Sequence, residues 1–197
     1  MTKQFRLNRR FDVVKDMFGG SQMWFKSPYN VQTGCGPVAL TNAFAWFMGL
    51  SLSQTDMLAL QEKVQYYLKG PVLIPQKFIK GARKLFKSEG FDLTTRQLTL
   101  YRSGSVQRKE LILFIAHSLE ENRPLALLLG PNQPSLDRSA EVYRKDFSTH
   151  WVLITGMDVE NDDAVIYVSS WATEFQLELW LLLQSKVFVS CVSMKLS

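Results

Sequence analysis

Apolar residues recur along the middle of the chain at intervals of three to four positions, the spacing typical of helices. Residues 35–48 are apolar nearly all round a helix and are followed by Gly49, which predicts a buried central helix that stops at that glycine. Residues 75–88 place apolar side chains on one side and lysines on the other, which predicts a surface helix with a solvated basic face. The predicted helices are 35–48, 53–68, 75–88 and 106–121.

Short apolar runs rich in Val, Ile and Leu replace this pattern after Pro124 and predict strands. Together with one earlier segment, the predicted strands are 91–100, 125–129, 151–155, 164–169, 175–179 and 187–194. We expect residues 1–33 to be irregular and residues 130–146 to form a long polar loop that walls a functional cleft. The order of elements predicts a single α+β domain over residues 1–197, in which N-terminal helices pack on a C-terminal antiparallel sheet.

The composition is that of an ordinary globular domain. Of 197 residues, 46% are hydrophobic, and no stretch approaches the ~20 apolar residues that span a bilayer. Residues 1–16 are charged and lack the apolar run of a secretory signal, and two cysteines make no disulfide framework. We therefore expect a cytoplasmic protein without a membrane span. The net charge of +5 is modest, and no nucleic-acid-binding motif accompanies it, so nucleic acid is not an expected partner.

Cys35 is the first candidate for chemistry, because it begins the predicted central helix. A helix N-terminus carries about half a positive charge, and sites of this kind lower a thiol pKa from about 8.5 to between about 3.5 and 7.5. Gly34 and Gly36 leave the sulfur uncrowded, and Pro37 suits the first helical turn. This framing predicts a nucleophile, although a cysteine in a globular chain also packs as a small apolar residue.

His150 begins a predicted strand and is the natural base for such a thiol. If the following hairpin turns near Glu160, antiparallel pairing places His150 opposite Ser170, so that Ser169 or Ser170 could accept a hydrogen bond from Nδ1 of the imidazole. We expect Ser169 to take this role. The alternative is that both serines simply end a strand.

Three segments together resemble the papain-like cysteine peptidase fold, in particular the branch related to the C39 bacteriocin-processing peptidases. They are Gly34-Cys35-Gly36-Pro37 at the start of a buried helix, His150-Trp151-Val152-Leu153-Ile154 at the start of a strand, and Ser169-Ser170-Trp171 at the end of the next.

The resemblance implies that Cys35 is the nucleophile, that His150 is general base and then acid, and that a glutamine before the cysteine donates to the oxyanion. The chain has Tyr29 at the family's usual glutamine position, so Gln32, or else Asn30, is the expected donor together with the Cys35 N–H. The family usually has Asn or Asp as the partner of the histidine, whereas this chain offers a serine.

The expected function is that of a cysteine peptidase or related acyl-transfer enzyme that acts on a peptide or thioester carbonyl. The alternatives are an inactive papain-like binding module and a protein that docks on an acidic partner through residues 77–87. No cofactor or metal is expected, because His117 and Cys191 lack metal-ligand spacing with the other candidates. We expect His117 to have a packing role and Cys191 to lie in the core.

Overall fold

The computed structural model describes residues 2–101, 104–131, 147–183 and 188–197. Its helices are α1 (Pro28–Thr33), α2 (Cys35–Met48), α3 (Gln54–Tyr67), α4 (Pro75–Ser88), α5 (Ser105–Glu120) and α6 (Leu179–Leu182). Its strands are β1 (Lys3–Arg6), β2 (Leu93–Leu100), β3 (Leu125–Leu129), β4 (His150–Glu160), β5 (Asp163–Ser170), β6 (Thr173–Glu178) and β7 (Val189–Leu196). The α+β prediction is confirmed, and no helix in these ranges has the length and apolar character needed to cross a membrane.

The strands form one seven-stranded antiparallel sheet in the order β2-β7-β3-β4-β5-β6, and β1 pairs with β4 as well. β3 and β1 lie end to end along the same side of β4, because β3 pairs with its first half and β1 with its second half. All five residues of β3 are buried, which requires cover on both faces of the sheet. Helices α2 and α4 cover one face, where Phe78 stacks on Trp151, and α5 covers the other beside Phe5 and Val159.

The central helix α2 begins and ends at the predicted residues. It stops because Gly49 adopts a left-handed conformation with φ of 64°, which a glycine accepts without a steric penalty. Nearly all of its side chains are buried, so its two inward polar residues need partners: the Thr41 hydroxyl donates to the carbonyl of Pro37, and Asn42 bonds to Gly20 and to β5. A helix fixed in this way holds its first residue, Cys35, at a defined place on the sheet.

The prediction of an irregular lead-in over residues 1–33 is wrong at β1 and α1. Both elements are too short for a period to show: β1 has one buried residue, Phe5, and α1 has none. The predicted loop 130–146 lies outside the described residues from position 132 onward.

Candidate active site

Cys35 stands at a junction between two helices. Gly34 separates the end of α1 from the start of α2, and a side chain at that position would collide with the carbonyl oxygen of Asn30 and lie 2.5 Å from the ring of Phe25. Only glycine therefore lets the chain turn here and begin a new helix at Cys35. The cysteine is half-buried, whereas the other cysteine, Cys191, is fully buried in β7 as predicted.

The start of α2 lies against the start of β4. The backbone N–H groups of Trp151, Gly36 and Cys35 itself act to lower the pKa of the Cys35 thiol. A Cβ atom added to Gly36 would lie 3.0 Å from the side chain of Val72 and 3.5 Å from Cδ1 of Trp151, so the absence of a side chain permits this close approach. The sulfur is thus adjacent to the peptide unit that follows His150.

The electrostatic prediction for Cys35 is wrong in its direction. Burial raises the pKa of the Cys35 thiol above its ordinary value, and the N–H groups of Trp151, Gly36 and Cys35 only partly oppose that rise. The cost of removing a thiolate from water outweighs these three donors. The resting thiol is therefore protonated near neutral pH, and its ionisation needs a base.

His150, the first residue of β4, is buried and held from two directions. Its Nε2 lies 2.8 Å from Oγ of Ser170, and its ring stacks on the indole of Trp171 with centroids 4.2 Å apart and planes 8° from parallel. The edge of Phe147 meets both rings, with its centroid 5.9 Å from that of the imidazole. These contacts fix the plane of the imidazole and shield one of its faces.

The expectation that Ser169 orients the imidazole is corrected by this geometry. The Ser169 hydroxyl donates to the carbonyl of Phe18 at 2.8 Å and accepts from Nδ2 of Asn42 at 3.1 Å, on the face of the sheet that α2 covers. Ser170, the next residue along β5, is the serine whose hydroxyl contacts His150. The engaged nitrogen also differs from the prediction, because it is Nε2 and not Nδ1.

Three residues next to the imidazole have left-handed backbone conformations although none is a glycine. Thr149 has φ of 50°, and the two turn residues between β5 and β6, Trp171 and Ala172, have φ of 47° and 61°. Each such residue costs about 1–2 kcal/mol, and strain of this kind is concentrated at functional sites. Nothing in the residue types at 171 and 172 signals this turn, since such turns favour Asn and Gly.

The lead-in segment around the glycine pair Gly19-Gly20 forms backbone hydrogen bonds to the strained turn at Trp171 and Ala172. The N–H of Phe18 donates to the carbonyl of Ala172, and the N–H of Ala172 donates to the carbonyl of Gly20. Gly20 in turn donates its N–H to Oδ1 of Asn42 at 2.8 Å. The sequence analysis placed these glycines in the irregular lead-in and missed Asn42, whose position inside an apolar helix was the available clue.

The predicted oxyanion donors lie on α1. Gln32 has an exposed side chain, and Asn30 is half-buried. The structure brings Cys35 together with the segment that begins at His150, and it brings His150 together with Ser170. It does not bring Gln32 into the buried part of the site.

The remaining candidates lie apart from this site. His117 has an exposed side chain whose Nε2 lies 2.7 Å from a carboxylate oxygen of Glu121, so it lies on the surface of α5 and the expected packing role is corrected. Burial raises the pKa of the Cys191 thiol far above its ordinary value. Within the described ranges, no three His, Cys, Asp or Glu side chains lie close enough together to hold a metal ion.

Comparison with known proteins supports the fold. No family model matches the chain, and no curated protein is similar to it in sequence. Its structure is similar to the crystal structure of UfSP from C. elegans, with a TM-score of 0.61 and 12% sequence identity. The match covers 98% of this chain but 34% of the other, so the chain spans about a third of the length of that structure. At this identity the likeness bears on the fold alone, and it supports the papain-like fold without assigning an activity to this chain.

Proposed function

We propose that this chain is a cysteine peptidase or a closely related acyl-transfer enzyme of the C39-like branch, built as one papain-like domain over residues 1–197. Its substrate is a peptide or acyl compound with a reactive carbonyl, its nucleophile is Cys35, and its base is His150. The observation that carries the proposal is the close packing of the start of α2 on the start of β4, where a Cβ added to Gly36 would lie 3.5 Å from Cδ1 of Trp151, because it brings the helix that begins at Cys35 against the strand that begins at His150.

The reaction begins with transfer of the thiol proton from Cys35 to Nδ1 of His150, while Ser170 holds Nε2. The thiolate attacks the carbonyl carbon and forms a C–S bond, and the N–H of Cys35 donates to the developing oxyanion. Rotation of the exposed Gln32 side chain supplies a second donor. His150 then gives its proton to the leaving amine or thiol as the bond between the carbonyl carbon and that group breaks. Water or an acceptor amine loses a proton to His150 and attacks the acyl-enzyme, the C–S bond to Cys35 breaks, and the proton returns from His150 to the thiolate.

One observation favours a second candidate, a papain-like binding module without catalysis. Burial raises the pKa of the Cys35 thiol, and the partner of His150 is the neutral hydroxyl of Ser170. A hydroxyl orients an imidazole but stabilises an imidazolium less than a carboxylate does.

Alkylation by iodoacetamide, followed residue by residue with mass spectrometry, separates the two candidates. Exposure alone favours Cys35 over Cys191, so the informative comparison is between the wild type and His150→Ala at neutral pH. We expect the variant to slow labelling of Cys35 at least about tenfold, because it removes the base that generates the thiolate. His117→Ala is the matched control and should leave the rate unchanged. If His150→Ala also leaves it unchanged, the binding module is the better description.

A further inference from the structure

A lysine-lined groove runs between α3 and α4. It encloses a cavity of about 490 Å³ whose lining includes Lys69, Lys77, Lys80, Lys84 and Tyr66 and contains no acidic residue. Positions 77, 80 and 84 lie on one face of α4, since residues three and four apart are neighbours on a helix. The groove is therefore a concentrated positive surface and not a scatter of basic residues.

The two helices can form this groove because Gly81 lets them approach closely. A Cβ at this position would collide with the side chain of Leu68 and lie 2.9 Å from the carbonyl oxygen of Tyr67. Gly81 itself lines the cavity. The lysines on either side of Gly81 therefore flank a part of the cavity wall that carries no side chain.

The positive charge of the groove is not neutralised within the described part of the chain, where none of its four lysines forms an ion pair. Lys77 uses its ammonium group to bind the carbonyl oxygens of Lys69 and Pro71 at 2.6 and 2.9 Å. The ammonium of Lys69 lies 4.7 Å from the ring centroid of Tyr66. Lys80 and Lys84 are exposed, so their ammonium groups are available to a ligand in the groove.

The loop that closes the groove also packs against Trp151 and against Gly36, the residue that follows the candidate nucleophile. Lys77 holds the carbonyl of Pro71, and the next residue, Val72, accepts a hydrogen bond from Nε1 of Trp151 at 2.6 Å. Val72 is also the residue against which Gly36 packs. A polypeptide bound across Cys35 therefore has a short path to the lysines.

Exposed apolar side chains mark this path. Leu73 and Ile74, which follow Val72, are 57% and 54% exposed, and Tyr66 is 68% exposed. An apolar rim beside a charged groove is typical of a surface that binds another polypeptide.

We infer that the lysine groove binds an acidic segment of the polypeptide substrate, an inference that rests on the proposed function. The occupant must be anionic because the lining carries four lysines and no carboxylate. A peptide is the anion that the proposed reaction itself brings to Cys35.

The test is the binding of a fluorescein-labelled peptide of about ten Asp and Glu residues, measured by fluorescence anisotropy at about 0.1 M salt. Lys80→Gln with Lys84→Gln removes two charges from the groove. Lys15→Gln with Lys87→Gln is the matched control, because it removes two exposed charges outside the lining, one of them on α4. We expect the groove variant to weaken binding by roughly 2- to 30-fold, at 0.2–1 kcal/mol per exposed pair, and the control variant to change it less than twofold.

Equal losses in the two variants, or no binding of the peptide by the wild type, would overturn the inference. So would a single-stranded oligonucleotide of equal charge that binds more tightly than the peptide with the same dependence on Lys80 and Lys84. This measurement does not use the Cys35 thiol. If the rate of Cys35 alkylation does not depend on His150 but peptide binding depends on Lys80 and Lys84, only the catalytic proposal is rejected. If alkylation depends on His150 but peptide binding does not depend on the two lysines, only the groove proposal is rejected.

Discussion

The adjacent serines of β5 offer the sharpest test of the site, because their hydroxyls have different hydrogen-bond partners. Ser170 bonds to Nε2 of His150, whereas Ser169 bonds to Phe18 and Asn42. Replacing each in turn by alanine removes one hydroxyl of the same size from the same strand. We expect Ser170→Ala to reduce the reactivity of Cys35 and Ser169→Ala to reduce the stability of the fold.

The magnitudes follow from the hydrogen bonds that each variant breaks. Ser170→Ala removes one neutral hydrogen bond from the imidazole, worth about 0.5–1.5 kcal/mol, which corresponds to a rate loss of about 2- to 13-fold if it is expressed in full at the transition state. Ser169→Ala leaves a carbonyl and an amide donor inside the protein without their partner, which costs about 1–3 kcal/mol of unfolding free energy. That loss does not pass through the imidazole.

Two measurements on each variant separate the effect on reactivity from the effect on stability. The rate of Cys35 alkylation by iodoacetamide at pH 7, read by mass spectrometry, reports on the pair formed with His150. Urea unfolding followed by tryptophan fluorescence reports on stability. Labelling must be carried out well below the unfolding midpoint, so that Cys191, which is fully buried in the native fold, remains unlabelled and confirms that the chain is folded.

The proposed roles of the two serines are refuted if the variants exchange their effects on Cys35 alkylation and on stability, or if both variants show both effects. Slower alkylation in Ser169→Ala without unfolding would mean that the imidazole is positioned through α2. An unchanged rate in Ser170→Ala would mean that the stacking of Trp171 alone holds the ring. Either result would remove Ser170 from its proposed role.

Three further predictions concern the frame around the site. Cys191→Val should reduce the loss of stability at alkaline pH. Burial raises the pKa of this thiol, so above about pH 8.5 the unfolded chain loses the proton that the folded chain keeps, and the wild type loses up to about 1.4 kcal/mol of unfolding free energy per pH unit that the variant retains. Urea midpoints at pH 8 and pH 10 measure the difference, and equal losses in the two proteins would contradict it. Gly34→Ala should lower the thermal midpoint, because its methyl group meets the carbonyl of Asn30 and overpacking costs about 1–3 kcal/mol; an unchanged midpoint would show that α1 moves freely. Trp151→Phe should lose about 0.5–1.5 kcal/mol in urea unfolding with its hydrogen bond to Val72, and a neutral result would make that bond dispensable.

The helices could be predicted closely because their signals are local. The apolar run of α2 and the amphipathic pattern of α4 each end at a glycine or beside one, and both helices have the predicted bounds. The sequence also predicted β3 correctly, because five consecutive apolar residues indicate a strand buried on both faces. β1 was missed, since it is stabilised by pairing with β4 and not by any pattern of its own.

The geometry of the site was harder to predict, because it depends on how segments distant in the sequence pair and pack. The hairpin between β4 and β5 turns at Asn161 and not at Glu160, and β4 carries an irregularity between Ile154 and Gly156. The last pair at this end of the hairpin is Leu153 with Ser169, so His150 lies beyond the paired residues and counting from the turn could not decide which serine reaches the imidazole. The sign of the Cys35 pKa shift was equally out of reach, because desolvation depends on how closely β4 and Val72 pack on the thiol, which composition does not encode.

The strained backbone beside His150 helps to explain how the imidazole is ordered. The contacts that orient the ring include its stacking on Trp171 and its hydrogen bond to Ser170. The left-handed turn at Trp171 and Ala172 provides the packing surface, and its cost of about 1–2 kcal/mol per residue is offset by the backbone bonds to Phe18 and Gly20. A turn that served only to connect two strands would be more stable with Asn-Gly, so its retention as Trp-Ala indicates that the indole is needed over the imidazole.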